Sequence, residues 1–518
     1  MVYEGKPSTG CKNCRKRRIK CDEARPHCNA CTRTGRECPG YSHPFDLVLR
    51  DHTASLMKKS EPSKVSSKVT GAKSITDGSD SSPEDAFACV RSLSPAMSIV
   101  SASSRPAYTP APADLYQPME DIVVPLFFNS YLYLPKDPHI RNGFMEILPG
   151  LYSSVKPGSH LHTSALAVAF FTVAAWTGQG SLLKASQRYF MEALPKIREA
   201  LLSNNENEYD STLMSIMMLS TYEEFVAIKD WETPMRAHLR GAIALINSRK
   251  PKAIEGPSSS TLHQAVQTQI IKTTRGLEMP MVPTPKVWPL SQSKNATSPR
   301  VFLSVAASEV VNLRKSWEQL RSEQPTESQI LSVLNKATQI DISLVSWTYW
   351  APSHWYPVAA SIIPQSVRDA GLYRNLCDCY TDMWIASTWN NYRDCRVLVQ
   401  RIILNCLHLL PSQYWDTSRI AAVQSAIQKL ADEICASVPF FMGNQMESVR
   451  MKPDMVEYAF AETRPITSTH KQSAPLMGAW QVFPCLRNLL NSNLGLPAQQ
   501  LSWLEAQINR ILVIYFQK

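Results

Sequence analysis

The chain has 518 residues, of which 44% are hydrophobic and 19% charged, with a formal net charge of +10. That length suits about two to four domains with a sizeable core, and the apolar share is that of an ordinary globular protein. The longest apolar run, ALAVAFFTVAAW at 165–176, falls short of the roughly 20 residues a membrane span needs, so it reads as a buried helix and no membrane partner is expected.

The first predicted unit covers residues 1–45. Its opening, MVYEGKPSTG, is polar, so no secretory signal is expected and the thiols should stay reduced. Residues 1–40 carry ten Lys/Arg against four acids, which accounts for most of the chain's surplus charge and favours an anionic partner. Six of the thirteen cysteines lie in this unit, and they form a repeat. Cys11-x2-Cys14-x6-Cys21 is followed by Cys28-x2-Cys31-x6-Cys38. In reduced thiols such spacing points to metal before disulfides.

Stoichiometry narrows the choice. A structural zinc site takes four ligands in a tetrahedron. Six thiolates are too many for one ion, but they complete two tetrahedra if two of them bridge, and symmetry selects Cys11 and Cys28 as the bridges. Two Zn2+ ions with six thiolates leave a small negative charge that the flanking Lys and Arg offset. A single-zinc ribbon through Cys11, Cys14, Cys28 and Cys31 is the alternative, but it leaves the repeat unexplained. So short a unit has too little core to fold alone, so the metal would supply the folding energy. Each half is expected to form a short helix after its second cysteine and an extended stretch to its third, with Pro26 in a trans turn between the halves.

The halves differ in charge. CKNCRKRRIKC carries Arg15, Lys16, Arg17, Arg18 and Lys20, whereas CNACTRTGREC is far less basic. A basic run can be a solvated face or a nuclear import signal. On a metal-pinned helix it is expected to meet double-stranded DNA, since guanidinium groups bind phosphate or fork onto guanine in the major groove.

Residues 46–115 are rich in Ser, Pro and Lys with few large apolar residues, so they are expected to be a disordered linker. A short dimerisation helix near 45–57 would carry only a single heptad, Leu49 to Leu56.

From 116 to 518 the pattern is helical, and one large all-helical domain of about twelve or more helices is expected. In DWETPMRAHLRGAIALINSRK, Thr233 fits an N-cap and Pro234 the first helical position. Leu239, Ala242, Ile243 and Ile246 then form one stripe. Val399, Ile402, Ile403, Cys406 and Leu410 form another, and Leu501, Leu504, Ile508, Ile511, Leu512 and Tyr515 a third. The segments 251–262 and 277–300 read as loops from their Pro and Ser content. His160 and His162 read as a core or surface pair, Trp384, Trp389 and Tyr392 as core, and Cys377 and Cys379 as structural. The sequon at 295–297 would not meet the glycosylation machinery in a nuclear protein. No nucleophile elbow, P-loop, dinucleotide fingerprint or zinc-protease motif occurs, so no enzyme is expected.

The segment 11–38, with every cysteine in place, resembles the fungal binuclear zinc-cluster (Zn(II)2Cys6) transcription factors. The resemblance implies two Zn2+ ions on Cys11, Cys14, Cys21, Cys28, Cys31 and Cys38. It implies a first helix that enters the major groove of a CGG-type triplet, with Arg17 and Arg18 at the reading positions, Arg18 foremost, and Arg15 and Lys20 on phosphates. The family commonly has Lys at the reading positions and favours a cis bond before the proline equivalent to Pro26. HLRGAIALINSR from His238, WIASTWNNYRDCRVLVQRIIL from Trp384, ICASVPFF from Ile434 and LMGAWQVFPCLRNL from Leu476 resemble the family's companion regulatory domain. Together these imply a nuclear, sequence-specific regulator of RNA polymerase II genes. It would act as a homodimer, with a heteromeric partner, or as a monomer helped by the 39–60 arm. A small-molecule effector of the helical domain has no support in the sequence.

Overall fold

The computed structural model describes most of residues 11–38 and most of 118–516. The larger stretches outside the described residues are 1–10, 39–117, 249–256, 275–298 and 448–454. The segments 45–57 and 295–297 therefore lie outside them, with all of the 46–115 linker. The chain divides into two compact units, Met1–Gln117 and Pro118–Lys518.

In the first unit the described regular element is a single short helix, α1 (Asn29–Thr32). The second unit is helical almost throughout. α2 (Met119–Leu126) runs into a wider turn at Phe127–Tyr131, and α3 (Leu148–Ser154) follows. α4 (His160–Thr177), α5 (Gly180–Ser203) and α6 (Tyr209–Asp230) pack together. α7 (Ala237–Ser248), α8 (Pro257–Thr274), α9 (Pro299–Ser322) and α10 (Glu327–Trp350) come next. A two-residue antiparallel pair, β1 (Val358–Ala359) and β2 (Asp378–Cys379), encloses the short α11 (Gln365–Asp369). α12 (Met383–Leu409), α13 (Thr417–Met442), α14 (Ser468–Asn491) and α15 (Ala498–Phe516) complete the unit.

Two helices form the centre. α4 contains the apolar run and is buried on nearly every side, as a helix that is apolar all round must be. It starts where Ser159 Oγ accepts the His162 amide at 3.2 Å and ends at Gly178, whose φ of 67° suits a left-handed cap. α12 packs against α9, α10, α13 and α14. Its stripe of Val399, Ile402, Ile403, Cys406 and Leu410 is buried, as is most of the α15 stripe. α13 and α14 approach so closely at Gly478 that a Cβ there would collide with the Phe441 carbonyl oxygen.

Two expectations for helix starts are overturned. Pro234 is not at the first turn of α7, which begins at Ala237, while Thr233 lies outside the described residues. Arg236 takes a left-handed φ of 56°, which breaks the helical path just before Ala237. The cap comes from α6 instead. Glu223 accepts the Ala237 amide at 3.1 Å and the His238 amide at 3.4 Å, and its Oε2 lies 3.1 Å from His238 Nδ1. The loop expected over 251–262 is helical from Pro257, because proline suits a first helical turn and Leu262 opens a buried stripe with Ala265 and Val266.

The Glu223 cap carries a pH signature. Burial opposes its ionisation, but the His238 ring and the two amides outweigh that and hold the carboxyl below its ordinary value of 4.5. Its stabilisation is complete above that unfolded value and is lost as pH falls through the lower folded one. Glu223→Ala should cost about 1–2 kcal/mol at pH 7. Urea denaturation followed by tryptophan fluorescence should show the gap narrowing below about pH 4. A gap independent of pH contradicts the charged cap.

Candidate metal centre and nucleic-acid interface

The two cysteine halves start alike. The Cys14 amide donates to Cys11 Sγ at 3.4 Å, and the Cys31 amide donates to Cys28 Sγ at 3.4 Å. Each leading cysteine thus caps the helical turn that carries its second cysteine. In the first half this turn runs through Asn13 and Cys14, with the Arg17 amide on the Asn13 carbonyl and the Ile19 amide on the Cys14 carbonyl, both at 3.1 Å. In the second half it is α1, which closes at Gly35 with φ 62°. The helix therefore starts after the first cysteine of each half rather than the second, because the first sulfur supplies the N-cap.

The thiols converge. Cys11 Sγ lies 3.6 Å from Cys28 Sγ and 3.7 Å from Cys31 Sγ. Cys28 Sγ lies 3.7 Å from Cys14 Sγ and 3.9 Å from Cys38 Sγ. Two quartets result, Cys11, Cys14, Cys21 and Cys28 on one side and Cys11, Cys28, Cys31 and Cys38 on the other, each with all sulfurs within 4.8 Å. Cys11 and Cys28 belong to both.

This arrangement suits zinc by a simple measure. A tetrahedron of sulfurs about 2.3 Å from a central ion has edges of about 3.8 Å, and the measured separations straddle that value. None of the six cysteines is in a disulfide, and all but the half-buried Cys21 are buried. Burial, and then the Cys11 thiol, push Cys14 up to about 12, and burial likewise raises Cys28 and Cys31. Thiolates packed this tightly need cations among them. This donor set fits structural zinc.

Asp22 supports the frame, and the sequence reading missed it. Its carboxylate accepts the Asn29 amide at 3.0 Å and the Ala30 amide at 3.3 Å, tying the end of the first half to the start of α1. The Asn29 bond is the main cause of its lowered pKa. An acid directly after Cys21 was the only hint.

Of the basic set, Arg17 and Lys20 are exposed. Arg15, Lys16 and Arg18 lie outside the described residues, as does Pro26. In the helical unit, His160 is buried with Nε2 3.2 Å from Ser211 Oγ, and His162 stacks on Tyr152. Trp389 and Tyr392 are buried around Trp347, whereas Trp384 is only half-buried and faces a cavity. Cys377 and Cys379 are buried.

Residues 9–46 match the family model of the fungal Zn(2)-Cys(6) binuclear cluster domain, and residues 115–272 match that of the fungal specific transcription factor domain. The chain is 56% identical over 39 residues to the aspercryptin biosynthesis cluster-specific transcription regulator atnN of Emericella nidulans, covering 8% of this chain and 6% of that protein. It is 67% identical over 33 residues to the transcriptional regulatory protein moc3 of Schizosaccharomyces pombe, covering 6% of each. A longer match, 20% identical over 338 residues, joins it to the transcription factor dbaG of Emericella nidulans, covering 62% of this chain and 74% of that one. The chain thus spans only a small part of the first two relatives. No solved structure matches.

Proposed function

We propose that this chain, which carries a fungal Zn(2)-Cys(6) binuclear cluster domain ahead of a fungal specific transcription factor domain, is a zinc-dependent, sequence-specific regulator of transcription. Both domains belong to transcription regulators, which are not enzymes. The observation that carries the reading is the pair of thiol quartets sharing Cys11 and Cys28 beside the chain's densest positive charge. Two Zn2+ ions occupy the quartets, with Cys14 and Cys21 completing one and Cys31 and Cys38 the other. The zinc-cluster domain takes residues 1–45, a linker follows over 46–115, and the helical domain of 116–518 regulates.

The metals hold a turn too short to persist alone and present Arg15, Lys16, Arg17, Arg18 and Lys20 to the major groove. Arg17 and Arg18 read a CGG-type triplet upstream of RNA polymerase II genes, in the nucleus, while Arg15 and Lys20 hold phosphates. A triplet recurs by chance about every 64 positions, which is too often to mark one gene among genomic competitors. Specificity therefore needs a second triplet bound by a dimer, or contacts from the 39–60 arm.

Selection from random DNA tests this. Enriched CGG-type triplets support the reading, with paired triplets at fixed spacing marking a dimer and one extended site a monomer. Absence of a common triplet overturns it. In the same assay Arg18→Ala should relax preference at one base by about 1–3 kcal/mol. Lys20→Ala should weaken all sequences alike and reduce the salt slope by about one unit. Equal losses on all DNA for both variants refute the division of roles.

A further inference from the structure

The helical unit holds a cavity of about 290 Å3, open to solvent beside Lys272 and Pro484, at the lower end of small-molecule sites. Four helices, α6, α8, α12 and α14, each turn a face into it. Their spacing is that of core stripes, but their chemistry is not. α12 presents Ser387, Thr388 and Asn391, and α8 presents Thr268, Gln269 and Lys272. Ser387 and Thr388 are buried at the cavity floor, where a face that only packs should be apolar. A roomy polar cavity instead holds water or a ligand.

Charge narrows the ligand class. Arg236, Lys272 and Arg487 line the cavity against two carboxylates, Glu146 and Glu224. Burial raises the Glu224 carboxyl, and Lys272 and Arg236 pull it back down, so both cations face this wall beside it. Burial draws the Arg236 guanidinium down against the pull of Glu224, and Arg240 and Arg487 draw it down further. Arg236 is held there by a left-handed backbone, a conformation that costs a non-glycine residue about 1–3 kcal/mol and gathers at ligand sites. The remaining wall is apolar and aromatic, with Phe225, Met477 and Trp480.

We propose that this cavity binds a small organic anion with an apolar body, its acid group against Arg236, Lys272 and Arg487 and its body against Phe225, Met477 and Trp480. The site lies wholly within the helical unit. It does not depend on the DNA-binding reading, whose residues lie in 11–38, so either can fail without the other.

Calorimetric titration of the full chain with benzoate, 2-naphthoate and decanoate, each paired with its neutral amide, tests the proposal. At least one acid should bind saturably, with its amide about tenfold weaker or worse. Lys272→Gln and Arg487→Gln should each weaken the acid by about tenfold and leave the amide unchanged. Thr268→Phe, which fills the cavity, should abolish both while the far-ultraviolet circular dichroism stays that of the parent. The proposal is overturned if no acid binds at millimolar concentration, if acid and amide bind alike, or if binding survives Thr268→Phe.

Discussion

Cys28→Ala should empty both metal positions and reduce DNA binding to the non-specific level, a loss of at least about a thousandfold. Cys28 Sγ sits within both quartets and lies under 4 Å from the sulfurs of Cys11, Cys14 and Cys38. Removing it would leave three thiols in each quartet, and it would also remove the N-cap of α1. Structural zinc supplies apparent folding energy of about 10–16 kcal/mol in small domains, and this unit has little apolar core to replace it. Cys21→Ala is the control, because Cys21 belongs to one quartet. That variant should retain about one zinc per chain, held by Cys11, Cys28, Cys31 and Cys38. Metal analysis of the two purified variants separates the cases. Equal zinc content in both would refute the shared role of Cys28, and a parent chain with one zinc would restore the single-ion ribbon.

The cluster could be read from sequence because its information is local. A spacing repeated in two halves constrains ligand number without knowledge of the fold, and the polarity of the basic half is written in adjacent letters. Buried stripes such as Val399 to Leu410 were legible for the same reason, since helical periodicity survives in one dimension. What failed depends on distant partners. The start of α7 at Ala237, past Pro234, is set by Glu223 on another helix. The Ser-rich approach to α8 looked like loop because its buried stripe begins only at Leu262, and Ser259 finds Asp210 on α6 at 2.5 Å. The cavity was not legible, since Trp384 reads as core. WIASTWNN places Trp384, Ser387, Thr388 and Asn391 on one helical face, but only packing shows that this face lines a cavity.

Arg393→Ala should be the most damaging single change in the helical unit, costing about 3–5 kcal/mol at pH 7. Arg393 is 1% exposed. Its Nη1 donates to Tyr380 Oη at 2.8 Å and to Asn390 Oδ1 at 2.9 Å, and its Nε donates to Glu433 Oε2 at 3.0 Å. Its Nη2 lies 3.8 Å from Asp378 Oδ2, and the guanidinium sits 5.6 Å from the centre of the Trp389 ring. One fork thus joins α12 to α13 and to the β2 strand. Alanine would leave Asp378 and Glu433 without that cation. Burial already raises the Asp378 carboxyl while Arg393 pulls it down, so loss of the arginine raises it further. A carboxyl whose folded pKa lies above its unfolded one stabilises the fold increasingly as pH falls. The deficit of the variant should therefore shrink between pH 7 and pH 5, as measured by urea denaturation of the full chain. Arg393→Lys keeps the charge but cannot fork, so it should recover only part of the loss. Full recovery by Arg393→Met, with no dependence on pH, would assign the loss to packing volume and refute the charge network as the tie between these elements.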